Sequence, residues 1–258
     1  MTQRKVPEQS LSVQKAIAIL KEVGAADSPI STTEIVARVG YGKTVVLRIL
    51  ATLLAERMIE RDPYTGGYFA GSTLVQLAQQ ALQKDPLILQ ATPALDEIVR
   101  ITGDAGLLMV LSDDESLCIA KRAGTTPIRN VGTELGTRSP IHAGGGPFAL
   151  LAFSDDAFID QYLSRPLKKL TERTVVDPAA IRQRIAEARQ RGFTIGNEDL
   201  FEYIVAVGVP IRDSRGKLLG SLSIGGIAAR YPSERCIEVG EKLMAIVASQ
   251  SGKPNNRE

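Results

Sequence analysis

Three sets of residues in this 258-residue chain could do chemistry. The first is Lys43, Thr44, Leu47 and Arg48, which fall on one side of a helix when spaced at 3.6 residues per turn. A lysine in the first turn draws phosphate, and an arginine one turn on can fork onto a guanine edge. The second is the run Ala143-Gly144-Gly145-Gly146-Pro147, whose glycines leave backbone N–H groups bare, so that they can hold a carboxylate without a charged side chain. The third is the usual stock of nucleophiles and bases, and it is thin: one histidine, His142, and two cysteines, Cys118 and Cys236, at no metal-binding spacing. No Ser-His-Asp or Cys-His arrangement can be assembled without His142, and a lone histidine before a helix reads as a structural hydrogen-bonder. The acidic clusters Asp113-Asp114-Glu115 and Asp155-Asp156 read as a hairpin turn and a helix start. The expectation is therefore no enzyme, no metal and no cofactor.

The elements around the first set make it a DNA-docking device. Ser31 is placed as an N-cap with Glu34 three residues on, so each side chain satisfies an amide of the other. Ile35, Val36 and Val39 give the apolar stripe, and Gly40 stops the helix in a left-handed conformation. A second helix is expected over 43–57, with Val46, Ile49, Leu50 and Leu53 packed and Thr44, Leu47, Arg48, Ala51 and Ala55 outward. Met58 to Arg61 and Tyr68-Phe69 read as two strands around a Pro63 to Gly67 turn, which adds a wing. Upstream, Val13, Ala16, Leu20 and Val23 form a first helix ended by Gly24. Candidate DNA contacts are Ser31, Thr32, Lys43, Thr44, Leu47, Arg48 and Arg61, and the partner implied is double-stranded operator DNA. Charge agrees modestly: residues 1–71 hold nine Lys/Arg against seven Asp/Glu, and the rest of the chain is balanced. Such a small excess suits a site-specific reader that pairs two copies, not a coat of nonspecific charge.

At this point the residues resemble a family. Ser12 to Ala16 with Ile19-Leu20, Ser31 to Arg61, and Tyr68 with Gly71 look like the start of IclR-type bacterial transcription regulators. The likeness continues through Pro140 to Ala143, Arg191-Gly192-Phe193 with Glu198, Pro210 to Asp213 and Leu222 to Ile224, so it spans nearly the whole chain. It implies an α+β chain: a winged helix-turn-helix domain at 1–71, a linker helix at 72–85, and a GAF-like effector-binding and oligomerisation domain at 86–258. That last domain would be an antiparallel sheet flanked by helices. The resemblance further implies a small organic effector, and self-association as a dimer through the helix seam Leu74, Leu77, Ala78, Ala81 and Leu82, with a dimer of dimers (a tetramer) as a further step. Carried over onto this sequence, the effector positions fall on Ile128, Gly145, Gly146, Gly196, Ala206, Ser223 and Gly225, joined by Gly144, Met109 and Tyr203.

Several positions depart from a small-acid binder. Gly196, Ala206 and Gly225 stand where an acidic residue, a cysteine and a second serine are usual, and Tyr203 replaces a glycine. A glyoxylate- or pyruvate-sized acid would be poorly held, so the expected effector is larger and aromatic or amphipathic, with its acidic or amide end at Gly145 and Gly146. In the DNA-reading helix, Gly42 replaces a proline, Val45 a hydroxyl residue and Leu47 a polar one, which shifts base reading toward Arg48 and toward contact of Leu47 with thymine methyls. The alternatives are an enzyme of the C-terminal domain or a ligand-independent architectural DNA binder. Against the architectural binder stands the size of the C-terminal part.

Downstream, Thr92-Pro93 reads as a helix start for Ala94 to Thr102, with Gly103 ending it. Strands are expected at 106–111, 116–120, 128–131, 204–212 and 218–225, and helices at 147–153, 157–163, 178–190 and 233–248. No apolar run of about 18 residues exists, the first nine residues are polar, and free thiols fit a reducing compartment. A cytoplasmic protein without membrane contact is expected.

Overall fold

The computed structural model describes residues 9–126 and 132–251. Two compact units divide the chain, 1–81 and 82–258. The expected strand at 128–131, Ile128 included, lies outside the described residues.

The smaller unit is built from α1 (Leu11–Ala25), α2 (Thr32–Val39), α3 (Lys43–Ala55) and the hairpin β1 (Ile59–Arg61) and β2 (Tyr68–Ala70), followed by α4 (Ser72–Lys84). Ile19, Val23, Ile35, Val46, Leu50, Leu53 and Ile59 form its core. The capping box is complete: the Ser31 hydroxyl accepts from Glu34 N at 3.2 Å, and Glu34 Oε2 accepts from Ser31 N at 3.0 Å. Gly40 closes α2 at φ 69°, which a side chain would disfavour. Two helix ends differ from expectation. Gly24 stays inside α1, which runs on to Ala25. α3 stops at Ala55, because Arg57 turns left-handed at φ 53° and its carbonyl seats against Gly71, where a Cβ would lie 2.3 Å away.

Among the described residues, the larger unit is a six-stranded antiparallel sheet between two helical layers. Its strands are β3 (Ala105–Ser112), β4 (Glu115–Arg122), β5 (Arg138–Pro140), β6 (Thr194–Asn197), β7 (Ile204–Arg212) and β8 (Leu218–Ile227), in the order β5-β4-β3-β8-β7-β6. One face packs on α5 (Pro86–Thr102) and α9 (Ser233–Ser251), through Leu95, Ile98, Leu108, Val207, Leu222 and Leu243. The other packs on α6 (Gly146–Ala152), α7 (Asp156–Leu163) and α8 (Pro178–Arg191), through Leu107, Met109, Phe148, Leu151, Ile181 and Ile185. Because both faces are covered, the central strand β3 reads as a near-continuous apolar run, while β8 alternates Ser221 and Ser223 with Leu222 and Ile224.

One expectation is corrected here, and two strands are added. α5 does not begin at Thr92-Pro93; it starts at Pro86, capped by the Asp85 carboxylate on Leu87 N and Ile88 N, and runs through Pro93. The proline leaves one i−4 carbonyl without a donor, and next to it the Thr92 hydroxyl bonds Ile88 O at 2.7 Å. The edge strands β5 and β6 were not expected, since three or four residues carry too short a period to read. Edge strand β6 is blunted by Arg184, whose guanidinium takes the Ile195 carbonyl at 3.3 Å.

Candidate DNA interface and effector cavity

On α3 the buried side chains are Val46, Leu50 and Leu53, so helical geometry turns Lys43, Thr44, Leu47, Arg48, Ala51 and Ala55 to solvent. Leu47 is 44% exposed, a large apolar side chain on an otherwise polar ridge. Among the described residues neither Lys43 nor Arg48 has a hydrogen-bonding or ion-pair partner of its side chain, whereas Arg38 pairs with Glu22 at 3.7 Å. The helix start is held without a side-chain cap, by Val45 N and Val46 N on Gly42 O. Beside it Tyr41 is covered by Lys15 Nζ, 5.4 Å from the ring centre.

The other expected DNA contacts have work inside the fold. The Ser31 hydroxyl donates to Glu34 Oε2 at 2.6 Å, so it is committed to the cap, and this bond with the Ser31 amide holds the Glu34 carboxyl below its ordinary range. Thr32, half-buried, opens α2. Arg61 braces the wing: its Nε donates to Gly66 O at 2.9 Å and its guanidinium lies 5.9 Å from the Tyr68 ring centre. The turn it braces is tied by the Asp62 carboxylate on Tyr64 N and Thr65 N, and leaves Tyr64 95% exposed at the tip. Ile30 and Tyr68 exchange two backbone bonds of 2.9 and 2.8 Å, which fastens the wing to the start of α2.

In the larger unit a cavity of about 30 Å³ sits where the glycine loop meets the sheet. Four adjacent strands present their helix-side positions to it: Leu107 and Met109 from β3, Ser223 from β8, Ala206 from β7 and Gly196 from β6. Gly144, Gly145 and Gly146 form the wall opposite, so most of the positions carried over by resemblance are brought together. The glycine at 196 has a steric reason, because a Cβ there would lie 2.3 Å from the Gly144 carbonyl carbon. A Cβ on Gly146 would lie 2.7 Å from the Ser223 hydroxyl and 3.0 Å from the Met109 sulfur.

Two expected positions are corrected. Tyr203 points away from the cavity and is 70% exposed, because it sits at φ 62° on the rim of the β6–β7 turn. Gly225 is buried as the cross-strand partner of Ala206 and does not itself line the cavity. The resemblance missed the groups that hold the loop. Asp199, 3% exposed, accepts from Gly144 N at 2.9 Å and from Arg184 Nη2 at 2.8 Å. The Thr194 hydroxyl takes Gly145 O at 2.7 Å and the Ser221 hydroxyl takes Gly146 O at 2.8 Å. One of the loop's amides is thus already spent on a protein carboxylate. It also missed Leu200, Phe201, Ile204 and Thr133 in the lining. The apolar pair Leu200-Phe201 inside an otherwise polar turn is the signal that could have found two of them.

His142, 1% exposed, has Nε2 3.0 Å from Lys168 O and Nδ1 2.8 Å from the Tyr162 hydroxyl. A carbonyl only accepts, so Nε2 carries the proton and Nδ1 accepts from Tyr162. Burial keeps this imidazole neutral and its pKa below the ordinary value. Burial also raises both thiols, Cys118 to about 11, which leaves them protonated and poorly nucleophilic. No described helix is long and apolar enough to cross a membrane.

Comparison with known proteins agrees with this architecture. Residues 12–63 match the family described as IclR helix-turn-helix domain, and residues 79–251 match that described as Bacterial transcriptional regulator IclR C-terminal. The chain is 28% identical to the HTH-type transcriptional regulator BhcR of Paracoccus denitrificans over 225 residues, covering 87% of this chain and 80% of that protein. An IclR transcriptional regulator from Alicyclobacillus acidocaldarius superposes with a TM-score of 0.82 at 26% identity, over 95% of this chain and all (100%) of the other. An IclR homolog from Microbacterium hydrocarbonoxydans, solved in complex with 4-hydroxybenzoate, shares the fold with a TM-score of 0.77 at 20% identity, over 93% of this chain and 98% of its own. With its helix-turn-helix unit followed by this sheet domain, the chain is a DNA-binding transcriptional regulator and belongs to the IclR family.

Proposed function

We propose that this regulator binds operator DNA as a dimer and is controlled by an amphipathic or aromatic small molecule taken up between the glycine loop and the sheet. The observation that carries the reading is the pairing, in one chain, of an unpartnered Lys43-Thr44-Leu47-Arg48 ridge with a walled cavity on a separate unit. Lys43 and Thr44 anchor phosphate, Arg48 reads a base edge and Leu47 meets a thymine methyl; Arg61 contributes by stiffening the wing. The division of labour is a DNA head at 1–71, a connecting helix at 72–85 and a sensing and self-association part at 86–258. None of the 13 residues of α4 is buried, and Val75 and Leu77 are 63% and 49% exposed, which supports a helix whose apolar seam awaits its twin. Two heads held about one DNA turn apart then read a near-palindrome, and pairing of two dimers would give a tetramer.

The apolar walls from Leu107, Met109, Ile204 and Ala206, with Ser223 as a hydroxyl anchor, favour an organic effector larger than a two-carbon acid. The 4-hydroxybenzoate complex of the Microbacterium homolog supports the same class. The chemistry on offer is binding and positioning, with no activated base or thiol among the described residues, so the protein is read as a sensor and not an enzyme. Effector and DNA are linked thermodynamically, on the usual scale of about 1–3 kcal/mol. The test is fluorescence anisotropy of the full-length protein on promoter fragments, with glyoxylate, pyruvate and 4-hydroxybenzoate added in turn, paired with calorimetry of each compound. A roughly 5- to 150-fold shift in DNA affinity with the aromatic acid is expected. Tighter binding of a two-carbon acid overturns the effector class, and no preference for any promoter fragment overturns the whole reading.

A further inference from the structure

The effector cavity is narrow because the chain fills it. The turn between β6 and β7 sends Leu200 and Phe201 into its lining, and the space left, about 30 Å³, has room for little more than a water molecule. The Phe201 ring lies against Gly132, where an added Cβ would be 2.5 Å from Cε2 and 2.6 Å from Cδ2. A ligand built on an aromatic ring cannot share this space with that side chain.

The turn is fastened at both shoulders and loose at its crown. Tyr203 N donates to Glu198 Oε2 at 3.1 Å, and Tyr203 O accepts from Ala228 N at 2.8 Å. The Thr171 hydroxyl holds Glu198 O at 2.7 Å, the Thr174 hydroxyl holds Asp199 O at 2.6 Å, and Arg184 pairs with Asp199 at 2.8 Å. Beyond Asp199, the one hydrogen bond found for residues 200–202 among the described residues is a 3.4 Å contact from Ile204 N to Phe201 O. Both ends of this crown carry non-glycine residues in the left-handed region, Glu198 at φ 58° and Tyr203 at φ 62°. Such residues are held in place by their surroundings and relax readily when those change.

We infer that Phe201 is the cavity's built-in stopper: its ring takes the place of an effector's apolar body, and a ring-bearing effector binds by swinging residues 200–202 outward about Glu198 and Tyr203. The exchange is one ring for another, which makes the effector an aromatic compound. The displacement reaches the glycine loop through Asp199, which adjoins Leu200 and holds Gly144 N. This inference rests on the reading of the cavity as the effector site.

The test uses the full-length protein, with benzyl alcohol as probe and methyl-¹³C methionine spectra as readout. The chain has four methionines, and Met109 lines the cavity, its signal assigned by Met109→Leu. Phe201→Ala removes the stopper and the cost of displacing it, so the probe binds about tenfold or more tightly than to the parent, with the Met109 signal moving. Phe201→Leu, which keeps apolar bulk, gains about threefold and serves if the alanine variant folds poorly. Ile237→Ala, an exposed change on α9 away from this turn, leaves probe affinity unchanged. Equal affinities for parent, Phe201→Ala and Phe201→Leu, or a Met109 signal that stays still, overturn the stopper. If Phe201→Ala gains the probe with the Met109 shift while promoter affinity ignores the bound ring, the stopper stands and the effector reading falls. If an aromatic acid shifts promoter affinity equally in the parent and both Phe201 variants, the sensor stands and the stopper falls.

Discussion

Replacing Asp199 by alanine removes two bonds at one stroke. The carboxylate accepts from Gly144 N at 2.9 Å and from Arg184 at 2.8 Å, and its side chain is 4% exposed. Stripping one partner from a buried pair leaves the other charge uncompensated and costs about 3–5 kcal/mol. The Arg184 side chain is 22% exposed, so water recovers part of that loss and the lower end, about 3 kcal/mol, applies. For a unit of this size, each kcal/mol lowers Tm by about 2–4 °C, so the transition of the larger unit falls by roughly 6–12 °C. Asp199→Asn keeps an oxygen for Gly144 N and loses only the charge; a cost of about 1–2 kcal/mol is expected. Arg184→Met closes a double-mutant cycle with Asp199→Ala, with a coupling of about 1–3 kcal/mol. Scanning calorimetry of the full-length variants resolves the two units, and far-UV circular dichroism follows the same transitions. An Asp199→Ala variant within about 0.5 kcal/mol of the parent, or a cycle with no coupling, would refute the claim that this pair anchors the glycine loop.

Arg48→Ala is expected to lower the preference for the operator over random DNA by about 5- to 150-fold while leaving effector binding intact, as measured by footprinting and calorimetry. Lys43→Ala should weaken all DNA sequences alike and reduce the slope of log K against log salt by about 1. His142 is the sole histidine, and its folded pKa is lowered by burial. Its stabilising effect is therefore complete above the unfolded value of about 6.5 and is lost as pH falls below that value, at no more than about 1.4 kcal/mol per pH unit. Denaturant titrations between pH 7.5 and 5.5 should show that dependence in the parent and a flatter profile in His142→Gln. Leu50→Ala, at a side chain 1% exposed, should destabilise the smaller unit by about 2–5 kcal/mol in thermal melts.

Local chemistry made much of this protein legible from its residues alone. Ser31 with Glu34, Gly40, and the spacing of Val46, Leu50 and Leu53 set the helix-turn-helix and its outward face, because caps, left-handed stops and helical periods act within a few residues. The hairpin turns at Asp113-Asp114 and Asp213 to Gly216 and the lone, structural His142 were readable for the same reason. Where neighbours overrule local preference, the sequence misled. Pro93 sits within α5 because Ala91, Ala94, Leu95 and Ile98 bury one continuous face against the sheet, and that packing outweighs one missing backbone bond. Most of the positions carried over by resemblance line the candidate effector cavity, but Leu200 and Phe201 are not among them, and its state could not be carried over. Only the folded sheet brings Asp199 from 55 residues away onto Gly144 N, turns Tyr203 outward, and lays Phe201 in the space beside Ser223 and Met109. Contacts between distant segments depend on the register of β6, β7 and β8, and no short stretch of chain encodes a register by itself.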